Sequence, residues 1–119
     1  MFDMQKHMSL LESARNKIAK AKLENESIDL ETAFYQGETD IEGFPNGWGE
    51  IRFKEADLVI QGQFYGEDLD GFGICVDKGK CYHAGMYKNG YAEGPGIAYG
   101  DDGEIAEGIF KDGELLDDE

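Results

Sequence analysis

Two hydrophobic rhythms divide this chain. Over residues 4–21 apolar side chains recur three and four apart, at Met4, Met8, Leu11, Ala14, Ile18 and Ala21. That spacing is one face of a helix. Beyond residue 33 the rhythm shortens to two. Tyr35, Gly37 and Thr39 line up in one segment, Ile60, Gly62 and Phe64 in the next, then His83, Gly85 and Tyr87, then Ala106, Gly108 and Phe110. Residues two apart share a face of a strand. The change falls near residues 25–33. All 17 glycines lie after residue 36, and 13 of the aromatics (1 Trp, 6 Tyr, 7 Phe in total) lie after residue 33.

The first part, residues 1–32, reads as an amphipathic basic helix and a linker. Ala, Leu, Lys and Glu dominate it, all good helix formers. Two starts compete: the "SLLE" of residues 9–12 as a capping box, or Asp3 as the cap with Ser9 inside. Arg15, Lys17, Lys20 and Lys22 gather toward the C-terminal end, where positive charge suits the helix dipole, and Asn25 is a suitable stop. The apolar stripe has two uses, docking on the following sheet or dimerisation. Docking is preferred, because a short helix draws most of its stability from burial.

The second part, residues 33–119, repeats. "YQG" ends at Gly37, "IQG" at Gly62, "HAG" at Gly85 and "AEG" at Gly108, spacings of 25, 23 and 23. Nine or ten residues after each of the first three comes a glycine pair: "GWG" ending at Gly49, "GFG" at Gly73, "GPG" at Gly96. Such a period marks an array of one supersecondary unit. Each unit fits a β-hairpin, with turn chemistry at Asn46-Gly47, Lys78-Gly79, Asn89-Gly90, Asp102-Gly103 and Asp112-Gly113. The Gly-x-Gly pairs are expected at twisted or positive-φ hairpin corners. The first copy carries a longer loop, "DIEGFPNGWG", and the fourth is truncated at "FKDGELLDDE".

The repeat resembles the MORN (membrane occupation and recognition nexus) family, whose unit runs Tyr-x-Gly-x-aromatic, an Asn-Gly turn, then Gly-x-Gly and a second aromatic strand. "HAGMYKNGYAEGPGIAYGDDG" is the closest copy, followed by "AEGIFKDG", and the resemblance covers residues 34–113. His83 and Ala106 replace the leading tyrosine and Thr39 replaces the strand aromatic of the first copy. The resemblance implies a mainly β fold with an N-terminal α-helix: a single elongated antiparallel sheet of about four consecutive MORN-like β-hairpins. It also implies a protein-binding scaffold or dimerisation surface, with lipid binding proposed for some members. Related repeats occur in antitoxin- or immunity-like proteins.

The pattern makes physical sense. Each first strand places a glycine between two side chains on one face, so stacked hairpins form a glycine row over which rings can lean. Phe64, Tyr87 and Phe110 recur at the repeat spacing and are read as core. Aromatics outside the period are the better anchors for a partner: Phe44 and Trp48 in the long first loop, with Phe72 and Tyr91 at equivalent loop positions. Trp48 could equally cap the sheet end.

Charge then narrows the function. The chain has 26 acids against 11 bases, a formal net charge of −15. Residues 4–23 hold five bases and one acid, whereas residues 32–119 hold 20 acids and six bases. Phosphates and anionic lipids are repelled, so no direct nucleic-acid or membrane binding is expected. Basic surfaces are attracted, although the same charge also serves simply to keep the sheet soluble. No apolar run reaches a membrane span, and "MFDMQKHMSLLESARNK" does not read as a signal peptide. With only Cys75 and Cys81, a reducing, cytoplasmic setting is expected. A two-residue loop at Lys78-Gly79 sets Val76 opposite Cys81, puts the cysteines on opposite faces, and makes a disulfide geometrically poor. Two histidines, with no nucleophile elbow, phosphate loop or metal-spaced cluster, point away from an enzyme, a cofactor or a metal.

The expectation is therefore a non-catalytic interaction module that binds, and inhibits or neutralises, a basic partner protein, as an antitoxin, immunity or counter-defence inhibitor would. Candidate contacts are Phe44, Trp48, Phe72 and Tyr91, with Glu67, Asp68 and Asp70 in one hairpin loop, Asp101 and Asp102 in another turn, and the tail Asp117, Asp118 and Glu119. The alternative is a structural scaffold that forms a homodimer through the N-terminal helix or the last hairpin.

Overall fold

The computed structural model describes residues 2–116. Helix α1 spans Met4–Glu24. Asp3 is its cap: the carboxylate accepts the Lys6 N–H at 3.1 Å, and Ser9 lies inside the helix. Asn25 ends it in extended backbone, its side-chain amide donating to the Ala21 carbonyl at 2.8 Å. The buried stripe is His7, Leu11, Ala14, Ile18 and Ala21. Met4 and Met8, expected on that stripe, are exposed, and His7 takes the inward position of the first turns. The stripe docks on the sheet, where burial of Leu11 and Ile18 contributes about 2 kcal/mol each. Gln36 secures the far end, donating to the carbonyls of Lys22 (2.8 Å) and Asn25 (3.0 Å).

Nine strands follow in one open antiparallel sheet, each paired with its neighbours in chain order: β1 (Ser27–Asp29), β2 (Ala33–Thr39), β3 (Pro45–Phe53), β4 (Leu58–Tyr65), β5 (Asp68–Asp77), β6 (Lys80–Lys88), β7 (Tyr91–Tyr99), β8 (Ile105–Lys111) and β9 (Glu114–Leu115). β1 lies in the segment read as linker; three residues carry too little alternation to announce a strand. Three hairpin turns are the two-residue kind read from the sequence. Lys78-Gly79, Asn89-Gly90 and Asp112-Gly113 all have positive φ at both positions, the twist that tight hairpins require. Asn46-Gly47 is not a turn and lies inside β3, because the first copy turns earlier, at Asp40–Phe44.

The glycine row is twice as dense as the strand starts imply. Register pairs Gly37 with Gly49, Gly49 with Gly62, and so on through Gly73, Gly85, Gly96 and Gly108, one glycine in every strand from β2 to β8. The closing glycine of each Gly-x-Gly therefore sits mid-strand in the row, in place of the expected hairpin corner. On β3, β5 and β7 rings occupy the space above the row, while at Gly37, Gly62 and Gly85 the neighbouring backbone fills it. A methyl on Gly49 would come within 2.7 Å of the Tyr35 ring; on Gly73, within 2.8 Å of Tyr87; on Gly96, within 2.9 Å of the His83 ring.

A bulge recurs beside the row, after Gly37, Gly62 and Gly85. There the middle residue of Gly-x-Gly turns its N–H out of the ladder, and a buried donor needs an acceptor. Glu38 accepts the Trp48 N–H at 2.7 Å and Gln63 accepts the Phe72 N–H at 2.9 Å. In the third copy the middle residue is Pro95, which has no N–H, and the facing side chain is Met86. Acceptor and donor are lost together.

The sheet separates two cores. On one face Tyr35, Ile51, Phe64, Leu69, Cys75, Tyr87 and Phe110 pack over the glycines. Phe64 meets Tyr35 edge-on with ring centroids 5.5 Å apart. On the other, Phe72, Ile74 and Ala84 meet Leu11, Ala14 and Ile18 of the helix. Cys75 belongs to the first core and Cys81 to the second, with Val76 paired to Cys81; both thiols are free.

Candidate functional site

A meander puts every second turn at the same end. The turns β2–β3, β4–β5, β6–β7 and β8–β9 share one end of the sheet, and main-chain bonds join each to the next. Gly66 N–H donates to the Pro45 carbonyl (2.9 Å), Gly90 N–H to Leu69 (2.9 Å) and Gly113 N–H to Ala92 (3.0 Å). The turns thus form one continuous ridge. In its first loop the Asp40 carboxylate accepts the N–H groups of Glu42 and Phe44 at 2.9 and 3.0 Å. That leaves Phe44 59% exposed. Tyr65 and Tyr91 stand on the next turns at 71% and 63% exposure. Between them Glu67, Asp68 and Asp70 are exposed. Asp68 and Asp70 belong to β5, so the expected acidic loop reduces to Gly66-Glu67.

The structure therefore brings together Phe44, Glu67, Asp68, Asp70 and Tyr91. It separates the other candidates from them. Trp48 is not a loop residue: it lies in β3 on the helix face, half-buried, with the Lys17 ammonium 5.3 Å from its ring centre. Phe72 lies in β5, is buried, and meets the His7 ring at 5.9 Å. Both are middle residues of Gly-x-Gly, which the bulge aims at the helix. Asp101 and Asp102 occupy the β7–β8 loop at the opposite end, where Asp102 accepts the Glu104 N–H at 3.0 Å and shapes its own turn. Asp117, Asp118 and Glu119 lie outside the described residues. Sequence reasoning passed over Tyr65. Its signal was present: it precedes the turn glycine at the position where the third and fourth copies carry Lys88 and Lys111.

A second cluster lies within the ring face. Tyr87 Oη is 2.7 Å from His83 Nδ1 and 3.0 Å from Cys75 Sγ. The His83 ring stands edge-on to Tyr87 and Phe110, at 5.0 and 4.7 Å. Burial pushes the His83 imidazole down to about 4, so it is neutral at pH 7. Burial also pushes Tyr82 up to about 12 and raises the Cys75 thiol and the Tyr87 phenol. These groups border a cavity of about 410 Å³ with Tyr91 and Asp68 at its rim. A protonated thiol, a protonated phenol and a neutral imidazole make a rigid hydrogen-bonded floor, in which no group is poised as a nucleophile.

On the helix face, burial alone would raise the Glu50 carboxyl. Hydrogen bonds from Gln61 (2.8 Å) and Lys22 (3.0 Å), with the charges of Lys22 and Arg52, outweigh that and hold it below the usual range. Among the described residues no group of three or more His, Cys, Asp or Glu side chains is placed to hold a metal, and no helix is long and apolar enough to cross a membrane. Comparison with protein-family models and with curated proteins gave no match for this chain.

Proposed function

We propose that this protein is a non-catalytic binding module of MORN type that docks on a basic protein and neutralises or inhibits it. The observation that carries the reading is the ridge, where exposed Phe44, Tyr65 and Tyr91 stand along bonded turns with Glu67, Asp68 and Asp70 between the two tyrosines. Aromatic anchors supply contact area at low entropic cost. Carboxylates between them select a positive partner and speed its approach. A nucleic-acid-binding protein presents such a surface, and covering it would exclude its substrate.

The test is capture of partners from the native host by the whole chain, at low and at high salt. A basic protein retained at low salt, weakened by salt, and lost on Tyr91→Ala or Glu67→Lys is the expected result. Salt-insensitive capture, or capture of acidic proteins alone, overturns it. The competing scaffold reading draws on the open ends of the sheet, and a stable homodimer in light scattering would favour it. The helix stripe offers that dimer little, because Leu11, Ala14 and Ile18 are already spent on the sheet.

A further inference from the structure

The fourth hairpin differs from the other three. β3, β5 and β7 are nine, ten and nine residues long and cover the first strand of their hairpin. β9 has two residues and pairs only with Phe110 and Lys111 of β8. One further bond runs from the Leu116 N–H to the Ile109 carbonyl at 2.9 Å. That bond shows that the Ile109 carbonyl points away from β7. Main-chain direction along a strand repeats every second residue. The N–H and C=O groups of Glu107 and Ile105 therefore also point outward, and among the described residues no strand pairs with them. Ile105 is 59% exposed.

We propose that this edge of β8 receives an extended segment of the partner, added as a further strand. The proposal rests on the reading that the partner is basic, and two observations specify the segment. On the helix side of the edge, Ile105 and Glu107 are exposed. The nearest cation along β8, Lys111, is already 3.8 Å from the Glu93 carboxylate. Opposite Glu107 the segment needs lysine or arginine. On the ring side, the row that holds Tyr35, Ile51, Ile60 and His83 tapers to Ala98 and Ala106. Apolar bulk fits over those alanines, as rings elsewhere lean over the glycines. The segment that fits thus alternates basic and apolar residues in extended form, with main-chain bonds supplying affinity and alternate side chains supplying choice. A second copy fits less well, because an antiparallel pairing about this edge sets Glu107 against or beside its own twin, between two chains of charge −15.

The test is amide exchange on the whole chain, free and with a synthetic peptide of alternating lysine and valine. In the free chain the Ile105 and Glu107 amides exchange fast, and the peptide slows them. Glu107→Pro deletes one outward N–H while leaving the bonds to β7, and weakens the peptide at least about tenfold. Glu107→Lys does the same by charge, and serves if the proline variant fails to fold. Glu55→Gln, exposed in the β3–β4 loop, leaves peptide affinity unchanged.

Three results overturn the edge: these amides already slow in the free monomer, which means the chain's own C-terminal residues fill it; slowing that depends on protein concentration, which means a second copy; or a peptide that is not held at β8. A peptide held at Glu67 and Asp68 instead removes the edge but leaves the proposed function standing. Failure to capture any basic protein from the host removes that function independently.

Discussion

The two faces of the sheet solve the same problem by opposite means. The ring face is periodic: one row glycine per strand, with Tyr35, Tyr87 and His83 over Gly49, Gly73 and Gly96, and Phe64 and Phe110 packed in the same core. The helix face is covered by a single element that crosses it once, and its residues follow the helix. Where α1 passes, the middle residues of Gly-x-Gly are Trp48 under Lys17 and Phe72 beside His7; in the third copy the equivalent Pro95 is exposed. The repeat sets the shape of the sheet, and departures from the repeat record what lies on top of it.

The contrast can be broken at the ring face first. Gly62 has φ +142, and a methyl there would collide with the Phe72 carbonyl and approach Gly73 Cα at 2.7 Å. Gly62→Ala is expected to cost about 4 kcal/mol or more in urea unfolding, strain and overpacking combined. A cost under about 1 kcal/mol would mean that the row can open by backbone adjustment. On the helix face, Ile18→Ala removes a side chain only 3% exposed and costs about 3 kcal/mol. If the faces are separable, NMR ring shifts of Tyr35 and Phe64 persist in this variant while Trp48 fluorescence changes. Loss of both signals would join the faces into one cooperative unit.

The bulges sharpen the comparison further. Gln63→Leu strands the Phe72 N–H and costs about 1–2 kcal/mol. Met86→Leu, facing Pro95, costs less than about 1 kcal/mol. Equal costs would show that the side chain matters only as packing.

A change of pH reaches both faces at once, with one histidine for each. The His83 pKa is about 4 when folded against 6.5, so between those values the unfolded chain takes up a proton that the folded chain refuses. Stability therefore falls as pH drops from 6.5 toward 4. His7 is also lowered, mainly by burial, and acts with the same sign. Denaturation midpoints of His83→Gln and His7→Gln across this window should each lose part of the slope. Glu50, held low, adds a separate loss only as pH falls below about 4.5.

Much of this was written in the chain, and the exceptions share a cause. The helix, its Asn25 stop, the hairpin period and the three two-residue turns follow from local spacing and turn chemistry. Gly49, Gly73 and Gly96 sit mid-strand and not at corners because an irregularity beside the row shifts register by two residues, which spacing alone does not reveal. The same shift hid the burial of Phe72 and the half-burial of Trp48. Of the candidate site, Phe44, Tyr91 and the Glu67–Asp70 acids were legible as exposed. That they adjoin, while Asp101 and Asp102 lie at the far end, is a property of the meander.

The pairing of Met86 with Pro95 sets a rule for how such an array can lengthen. Glu38 with Trp48, Gln63 with Phe72 and Met86 with Pro95 each span two adjacent strands, so a single strand moved alone would carry half of a matched pair. Duplication or exchange must move whole two-strand cassettes, about 23 residues at a time. A cassette bearing proline can be copied beside an apolar neighbour, while one bearing tryptophan or phenylalanine must travel with its acceptor.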